Sequence, residues 1–316
     1  MSGLVENFFN TPIPENVWHY TTLAGLEGIV SSRAVWATEA HHTTDPSEFV
    51  HARTVATALL ESIVSTDENI AHAKQAGLEA VASAFDDGAL SQRKIAVFVA
   101  SFSSSGGLNS QWNEYADSGR GVSIAFDLRK VRPPEEIQSG VTFAPCVYAQ
   151  DEKENLTNAA LGDFIDTVAT LHRDTGSHQW AAQQLRSWSI VDHIFDLRFD
   201  RAAFDAAMNA CFQKQLHGAL TRTAFDLLRL ASHCKSHQFH QEREWRLSLP
   251  HIKDKPLTMH QILYRGVDQN TPYLAHNLFQ QRLPITQVLA GPACRDVEKI
   301  QTVLAIHGYQ VPVVKV

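Results

Sequence analysis

Strand-like alternation runs through this chain to about residue 149, stops, and resumes at 242. Between those points, residues 156–174, 179–190 and 201–235 carry apolar side chains at helical spacing, with no good strand signal. Because the strand pattern returns after the interval, the stretch at about 154–240 reads as a helical insertion. The expectation is one domain over 1–316, of the α+β class.

The first part begins with a short strand at Val17–Thr21. Thr21 or Thr22 then caps a helix over Leu23–Ser32, whose Leu23, Leu26, Ile29 and Val30 share a face. Val35–Ala37 reads as another strand. Asp45, Pro46 and Glu48 form a capping-box start for helices over 46–65 and 68–86. Residues 94–103 alternate, with Val97, Val99, Ser101 and Ser103 on one face and Phe98, Ala100 and Phe102 on the other. A short helix over 110–117 puts Trp112 and Tyr115 on one side. Strands are expected at 121–127 and 144–149. After the insertion come strands near 242–249 and 260–264, a helix at 271–281, a strand at 285–290, a helix at 293–307 and a strand at 310–315.

The stretch Gln241–Leu249 has an unusual polar face. Trp245, Leu247 and Leu249 alternate with polar partners up to Pro250, so Glu242, Glu244, Arg246 and Ser248 should lie together. Two carboxylates two residues apart repel, and a partly dry site raises a carboxylate's pKa. The plain alternative is a solvated face on which Arg246 screens both glutamates.

Composition narrows the partners. With 44% hydrophobic and 19% charged residues the chain is that of a soluble globular protein. A net charge of -7 argues against broad nucleic-acid binding but leaves room for a local basic groove. Cys146, Cys211, Cys234 and Cys294 are far apart with no CxxC, which favours reduced thiols. Met1–Asn16 shows no basic and apolar leader, and no apolar run approaches the ~20 residues of a membrane span. A cytoplasmic protein with no membrane partner is expected.

Three polar triplets on expected strands carry the chemistry: His19-Tyr20-Thr21, Ser101-Phe102-Ser103 and Glu242-Arg243-Glu244. Each lies beside a helix start or a Gly-rich break, where clefts form. In this order they resemble the ADP-ribosyltransferase superfamily. Its members carry a His or Arg on the first core strand, a Ser-rich or Tyr-bearing segment mid-chain, and a Glu, often in Glu-x-Glu, on a later strand. The chain is similar also to an uncharacterised bacterial family with no assigned function. That pattern is matched by His19-Tyr20-Thr21, Asp45-Pro46-Ser47-Glu48, Ser101-Phe102-Ser103, Trp112-Asn113-Glu114-Tyr115 and Glu242-Arg243-Glu244-Trp245-Arg246, over about residues 17–307.

The resemblance implies a mixed split β-sheet core of ADP-ribosyltransferase type with a large helical insertion, and NAD as substrate. Cleaving the nicotinamide–ribose bond generates an oxocarbenium-like sugar, which a placed carboxylate stabilises. Glu244 would take that role and accept a hydrogen bond from the ribose 2′-hydroxyl, with Glu242 orienting the acceptor. His19, flanked by Tyr20 and Thr21, would bind the adenosine ribose or the nicotinamide amide. Tyr115 or Trp112 would stack on nicotinamide, Ser101 and Ser103 would support the Glu strand, and Arg246 or Arg53 would pair with the pyrophosphate. The chain has His in place of the toxin-type Arg, and Ser-x-Ser and Glu-x-Glu in place of the polymerase-type Tyr. That mixture leaves the stacking aromatic open. The acceptor would be a nucleic acid, a protein or water, the last making the enzyme an NAD glycohydrolase. The resemblance suggests a bacterial toxin or antiphage effector, with an antitoxin or regulatory protein as a further partner.

Two other readings stand beside it. In a non-catalytic binding or regulatory module, Glu242 and Glu244 would form a structural salt-bridge ladder with Arg246. In a metal-dependent nuclease, His233, His237 and His240 would share a helix face and act with the carboxylates. No second ligand pair of matching spacing occurs, so no metal site is assigned. The plain alternative for the histidines is a helix end, where they complement the dipole. His41-His42 is weaker still as a ligand pair. The turn Val288–Ala293, which lacks a GxGxxG or Walker pattern, is assigned to structure.

Overall fold

The computed structural model describes residues 3–43, 47–64, 66, scattered positions between 71 and 85, 95–131, 141–175, 215, 226–252, 261–266, 268, 270–278 and 281–316. In chain order the regular elements are α1 (Gly3–Phe9), β1 (Val17–Thr21), α2 (Leu23–Ser32), β2 (Val35–Glu39), α3 (Ser47–Ser62), β3 (Ile95–Ser103), α4 (Asn109–Tyr115), β4 (Val122–Phe126), β5 (Thr142–Pro145), α5 (Gln150–Thr175), β6 (Glu244–Ile252), β7 (Leu263–Arg265), β8 (Thr271–His276), β9 (Ile285–Ala290), α6 (Val297–Ile306) and β10 (Val313–Lys315). Helices and a mixed, open sheet make this an α+β protein. No described helix is long and apolar enough to cross a membrane.

The chain divides into two compact units. One comprises Met1–Val5, His51–Asp87 and Glu154–Leu228, and its described regular structure is all helix. Leu60, Phe85, Leu161 and Phe164 are buried, and Gly77 lies against Leu60 and Phe164. The other comprises Glu6–Val50, Gly88–Lys153 and Arg229–Val316, and carries every described strand.

In the sheet unit the strands run β10-β9-β4-β1-β3-β2-β8-β7, with β6 on β3 and β5 on β6. Among the described strands only β9 and β10 pair in parallel. One face is apolar because alternate residues of each strand are apolar: Val17, Val35, Phe98, Phe102, Ile124, Leu247 and Leu274 share one core. Leu26, Ile29 and Val30 of α2, with Ile300 and Leu304 of α6, join that core. Burial of such side chains stabilises by about 1.5–3 kcal/mol each.

The organising strand is β3. β6 pairs with it throughout, from Ile95 opposite Ile252 to Ser103 opposite Glu244. Its other edge is shared. β2 takes Phe98 and Val99, and β1 takes Ser103. From there β1 leads to β4, β9 and β10, while β2 leads to β8 and β7. The sheet therefore splits along β3 between Val99 and Ser103.

Several boundaries differ from those read in the sequence. Residues 271–276 form a strand, not the start of a helix at 271–281. Alternate burial of Pro272, Leu274 and His276, and pairing of β8 to both β2 and β7, override an ambiguous apolar run. The expected helix over 201–235 is helical at 215 and 226–231 and has ended by 232. There the backbone turns to pair with Val147: its N–H donates to the His233 carbonyl (2.7 Å), and Lys235 N–H donates to the Val147 carbonyl (2.9 Å). The strand expected at 144–149 sits at Thr142–Pro145, and β7 and β10 are shorter than expected. α6 begins at Val297, after a turn in which Cys294 N–H bonds the Gly291 carbonyl. β6 starts at Glu244, not Glu242, and runs past Pro250 to Ile252. β5 reaches only Ser248, so among the described residues nothing pairs with that edge of β6 beyond it, where a missing N–H is tolerated. Thr22, not Thr21, caps α2, accepting from Gly25 N–H at 3.0 Å. The expected helix at 179–190, the Asp45-Pro46 cap and Cys211 lie outside the described residues. Of the expected helix at 68–86, the described positions Ala71, Lys74, Gln75, Gly77, Leu78, Val81 and Ala82 are helical.

Gly121 lets β4 start directly against the end of β1. A Cβ there would lie 2.2 Å from the Thr21 carbonyl oxygen, a backbone atom that cannot swing away. Gly121→Ala should therefore cost about 1–3 kcal/mol. A urea titration checks this: the midpoint falls with the slope unchanged, and an unmoved midpoint contradicts the packing argument.

Candidate functional site

On the face of the sheet opposite the core, cross-strand partners line up. Ser103 of β3 faces Glu244 of β6 on one side and Trp18 of β1 on the other, and Ser101 faces Arg246. Thr38 of β2 faces both Val99 and Tyr273. A cleft of about 690 Å³ opens on this face where the sheet splits. It is lined by residues of β1, α2, β2, β3, α4, β6, β7 and β8, with Lys235, Phe239 and Glu242 from the segment before β6.

His19 belongs by alternation with Val17, on the core face, and its ring lies 5.7 Å from that of Phe102. It reaches the cleft through the split. The Ser101 carbonyl faces the gap, and His19 Nδ1–H donates to it at 2.9 Å. Burial holds the imidazole below its ordinary pKa, with the Ser101 hydrogen bond opposing and the nearby Arg265 charge adding. The ring is then neutral at pH 7, with Nε2 as a hydrogen-bond acceptor.

The acidic pair is arranged differently from the expected strand face. Glu242 ends a short 3-10 helix, His237–Glu242, and Arg243 takes a left-handed conformation (φ 48°) before β6 begins. That backbone costs a non-glycine residue about 1–2 kcal/mol. It is held by Ser103 Oγ, which donates to the Glu242 carbonyl at 2.7 Å, and by Ser104 N–H, which donates to the Arg243 carbonyl at 3.0 Å. The kink turns both carboxylates toward one ammonium. Lys235 Nζ donates to Glu242 Oε2 in a short contact and to Glu244 Oε2 at 2.6 Å. Arg246 adds Nε to Glu244 Oε1 at 2.6 Å and a second donor to Oε2 at 3.2 Å, and donates also to the Ser232 carbonyl at 2.6 Å. Tyr148 Oη accepts from Glu244 N–H at 2.9 Å.

All four charged groups are buried. Burial pushes the Glu244 carboxyl up, but Arg246 and Lys235 overcome it and hold it at about 2. For Glu242 burial wins over Lys235 and the carboxyl is raised. Burial pulls Lys235 down, yet the attraction of Glu244 leaves its ammonium well above its ordinary range. Two anions and two cations thus form a neutral cluster whose most acidic member is Glu244.

The expected site residues divide into three groups. His19, Tyr20, Thr21, Ser101, Tyr115, Glu242, Glu244 and Arg246 all line the cleft. Tyr20 has both hydroxyl functions in use, donating to the Ser105 carbonyl (2.8 Å) and accepting from Leu108 N–H (2.9 Å). Its task is to hold the loop after β3. Ser103 and Trp112 do not line the cleft: Ser103 is buried against the Glu242 backbone, and Trp112 packs edge-on against Tyr20 at 4.9 Å. Trp112 is therefore not available for stacking, and Tyr115 remains as the aromatic of that pair in the cleft. Arg53 is exposed and belongs to the helical unit.

The expected His233–His237–His240 face does not form, because the helix has ended before them. His233 is fully buried, its Nδ1–H donating to the Arg229 carbonyl at 2.8 Å, and burial lowers its pKa to about 4. His237 and His240 stack on one another at 5.0 Å. His41 and His42 both bond Glu39, which is fully buried.

Sequence reasoning missed Lys235, Gln111, Glu114, Phe239 and Arg265, which also line the cleft. Lys235 falls at the end of the helical stretch expected over 201–235, where its sequence context sets it apart from the carboxylates of the later strand. Arg265 follows a weak strand signal and carried no motif.

A family profile described as a protein of unknown function (DUF2971) matches residues 111–247. The matched span holds Gln111–Tyr115 of α4, Lys235, Glu242, Glu244 and Arg246, but not His19, Ser101 or Arg265, and is shorter than the resemblance read over about 17–307. No curated protein and no solved structure matches the chain.

Glu244 links this cluster to stability. Its folded pKa, about 2, lies below its ordinary value of 4.5. Its contribution is complete above pH about 4.5 and is lost as pH falls toward about 2. Glu244→Gln should destabilise at pH 7 by about 3–5 kcal/mol, because it strands two buried cations. It should also flatten the acid limb of the stability curve. Urea midpoints of both proteins from pH 7 to 2.5 test this; parallel curves would mean that the ion cluster does not couple to folding.

Proposed function

We propose that this protein cleaves the nicotinamide–ribose bond of NAD and transfers ADP-ribose to a macromolecule, protein or nucleic acid. The observation that carries the reading is the meeting of His19, Ser101 and Glu244, from β1, β3 and β6, in one cleft at a split in a mixed sheet. An ADP-ribosyltransferase-type core is part of this proposal.

Glu244 is ionised at neutral pH, as a carboxylate facing a developing oxocarbenium must be. Its Oε2 is taken by Lys235 and Arg246, and its Oε1, among the described residues, by Arg246 Nε alone. A carboxylate oxygen accepts two bonds, so Oε1 keeps one site for a ribose hydroxyl. Glu242, with its raised pKa, suits proton exchange with an acceptor nucleophile. His19 Nε2 would accept from a ribose hydroxyl or a carboxamide. Tyr115 would lie against the nicotinamide ring.

One observation favours a second reading. Glu244 is held by two buried cations, as in a structural salt-bridge ladder of a non-catalytic binding module. In that case the cluster fixes the approach to β6 and the cleft only binds.

Nicotinamide release from NAD separates the two. We expect release by the wild type, in the presence of cell extract as acceptor source, and at least a hundredfold slower release by Glu244→Gln per folded molecule. His19→Ala should raise KM more than it lowers kcat. Absence of release by the wild type under any acceptor condition would sink the enzymatic reading. Unchanged release by folded Glu244→Gln would remove Glu244 from the chemistry.

A further inference from the structure

The cleft holds a third cation whose surroundings differ from the other two. Lys235 is committed to Glu242 and Glu244, and Arg246 to Glu244 and the Ser232 carbonyl. Arg265, on β7, is half-buried and donates to Thr38 Oγ1 at 2.6 Å. Its guanidinium carbon lies 5.8 Å from the Trp36 ring centre and 5.4 Å from that of Tyr273. Among the described residues no carboxylate pairs with it.

We propose that Arg265 is the phosphate-binding group of the cleft, and that it takes the pyrophosphate of a dinucleotide. A half-buried guanidinium without an anion has given up water and received little in return. Burial accordingly lowers its pKa. An incoming phosphate supplies the missing charge, and a planar fork matches its oxygens. Two aromatic faces and the Thr38 bond hold the fork in place before the ligand arrives, which reduces the ordering cost of binding. Arg265 is near enough to His19 for its charge to oppose protonation of the imidazole. A ligand gripped at Arg265 by its phosphates can thus also meet His19. Arg246, expected for this task from sequence, is already bound to Glu244.

The proposal deepens the NAD reading and rests on it only for the identity of the dinucleotide. Calorimetric titration with sodium pyrophosphate, ADP-ribose and adenosine tests it at fixed ionic strength, since phosphate contacts are salt-dependent. We expect the wild type to bind pyrophosphate and ADP-ribose. Arg265→Gln should weaken both about 10- to 100-fold, the worth of a charged hydrogen bond, and leave adenosine unchanged. Arg265→Lys should fall between. If Arg265→Gln does not fold, the Lys variant decides: ADP-ribose should bind it about tenfold more weakly, with adenosine unaffected. ADP-ribose binding as tight to the variants as to wild type, or adenosine weakened in parallel, overturns the assignment. So does a wild type that binds neither phosphate ligand. A wild type that binds pyrophosphate through Arg265 but releases no nicotinamide overturns NAD cleavage and leaves Arg265 in place.

Discussion

The edge of β3 is shared between two strands that then part, and the cleft exists because of it. β6 covers one side of β3 completely, which keeps the strand straight and paired. On the other side β1 and β2 each claim only a few residues, leaving a gap at Ser101. An unpaired carbonyl in such a gap is costly unless something donates to it. His19 Nδ1–H does so. One hydrogen bond thus closes the break in the ladder, fixes the tautomer of the imidazole, and leaves Nε2 as an acceptor in the cleft. An otherwise unpaired carbonyl has become part of the cleft wall.

The second constraint is charge balance next to that gap. Glu242 and Glu244 lie on either side of a left-handed Arg243, and the kink turns both toward Lys235. Two buried carboxylates facing one another without a cation would not both ionise. With Lys235 and Arg246 present, Glu244 stays strongly acidic while Glu242 is raised. Neighbouring carboxylates with divergent acidities are what acid–base chemistry at a sugar requires. The same four charges also secure the start of β6, so stability and the proposed chemistry draw on one cluster. This coupling is why a variant at Glu244 must be read per folded molecule.

Across the cleft the balance is different. Arg265 has aromatic walls and a hydroxyl but no described carboxylate. The cleft thus holds a charge-balanced cluster at the start of β6 and, on β7, a cation with no counter-ion among the described residues. The -7 net charge of the whole chain says nothing of this local field.

The sequence by itself determined which residues alternate. The period-2 pattern of β1, β3, β4, β6 and β9 and the helical spacing of α2 and α5 were legible, because side-chain direction follows from local backbone geometry. So were Ser101, Glu244 and Arg246 as members of polar strand faces, and His19 as part of a polar triplet on β1. What only the tertiary structure decided was where these faces meet. β8 became a strand because β2 and β7 offered it partners, not because Thr271–His276 insists on it. Lys235 left its helix because Val147 offered backbone partners. Glu242 left the strand because Ser103 and Lys235 held it elsewhere. Trp112 was withdrawn from the cleft by packing on Tyr20, and Arg265 was brought into it by a three-residue strand. Each of these outcomes turns on contacts between residues far apart in the chain, and local periodicity carries no record of such contacts.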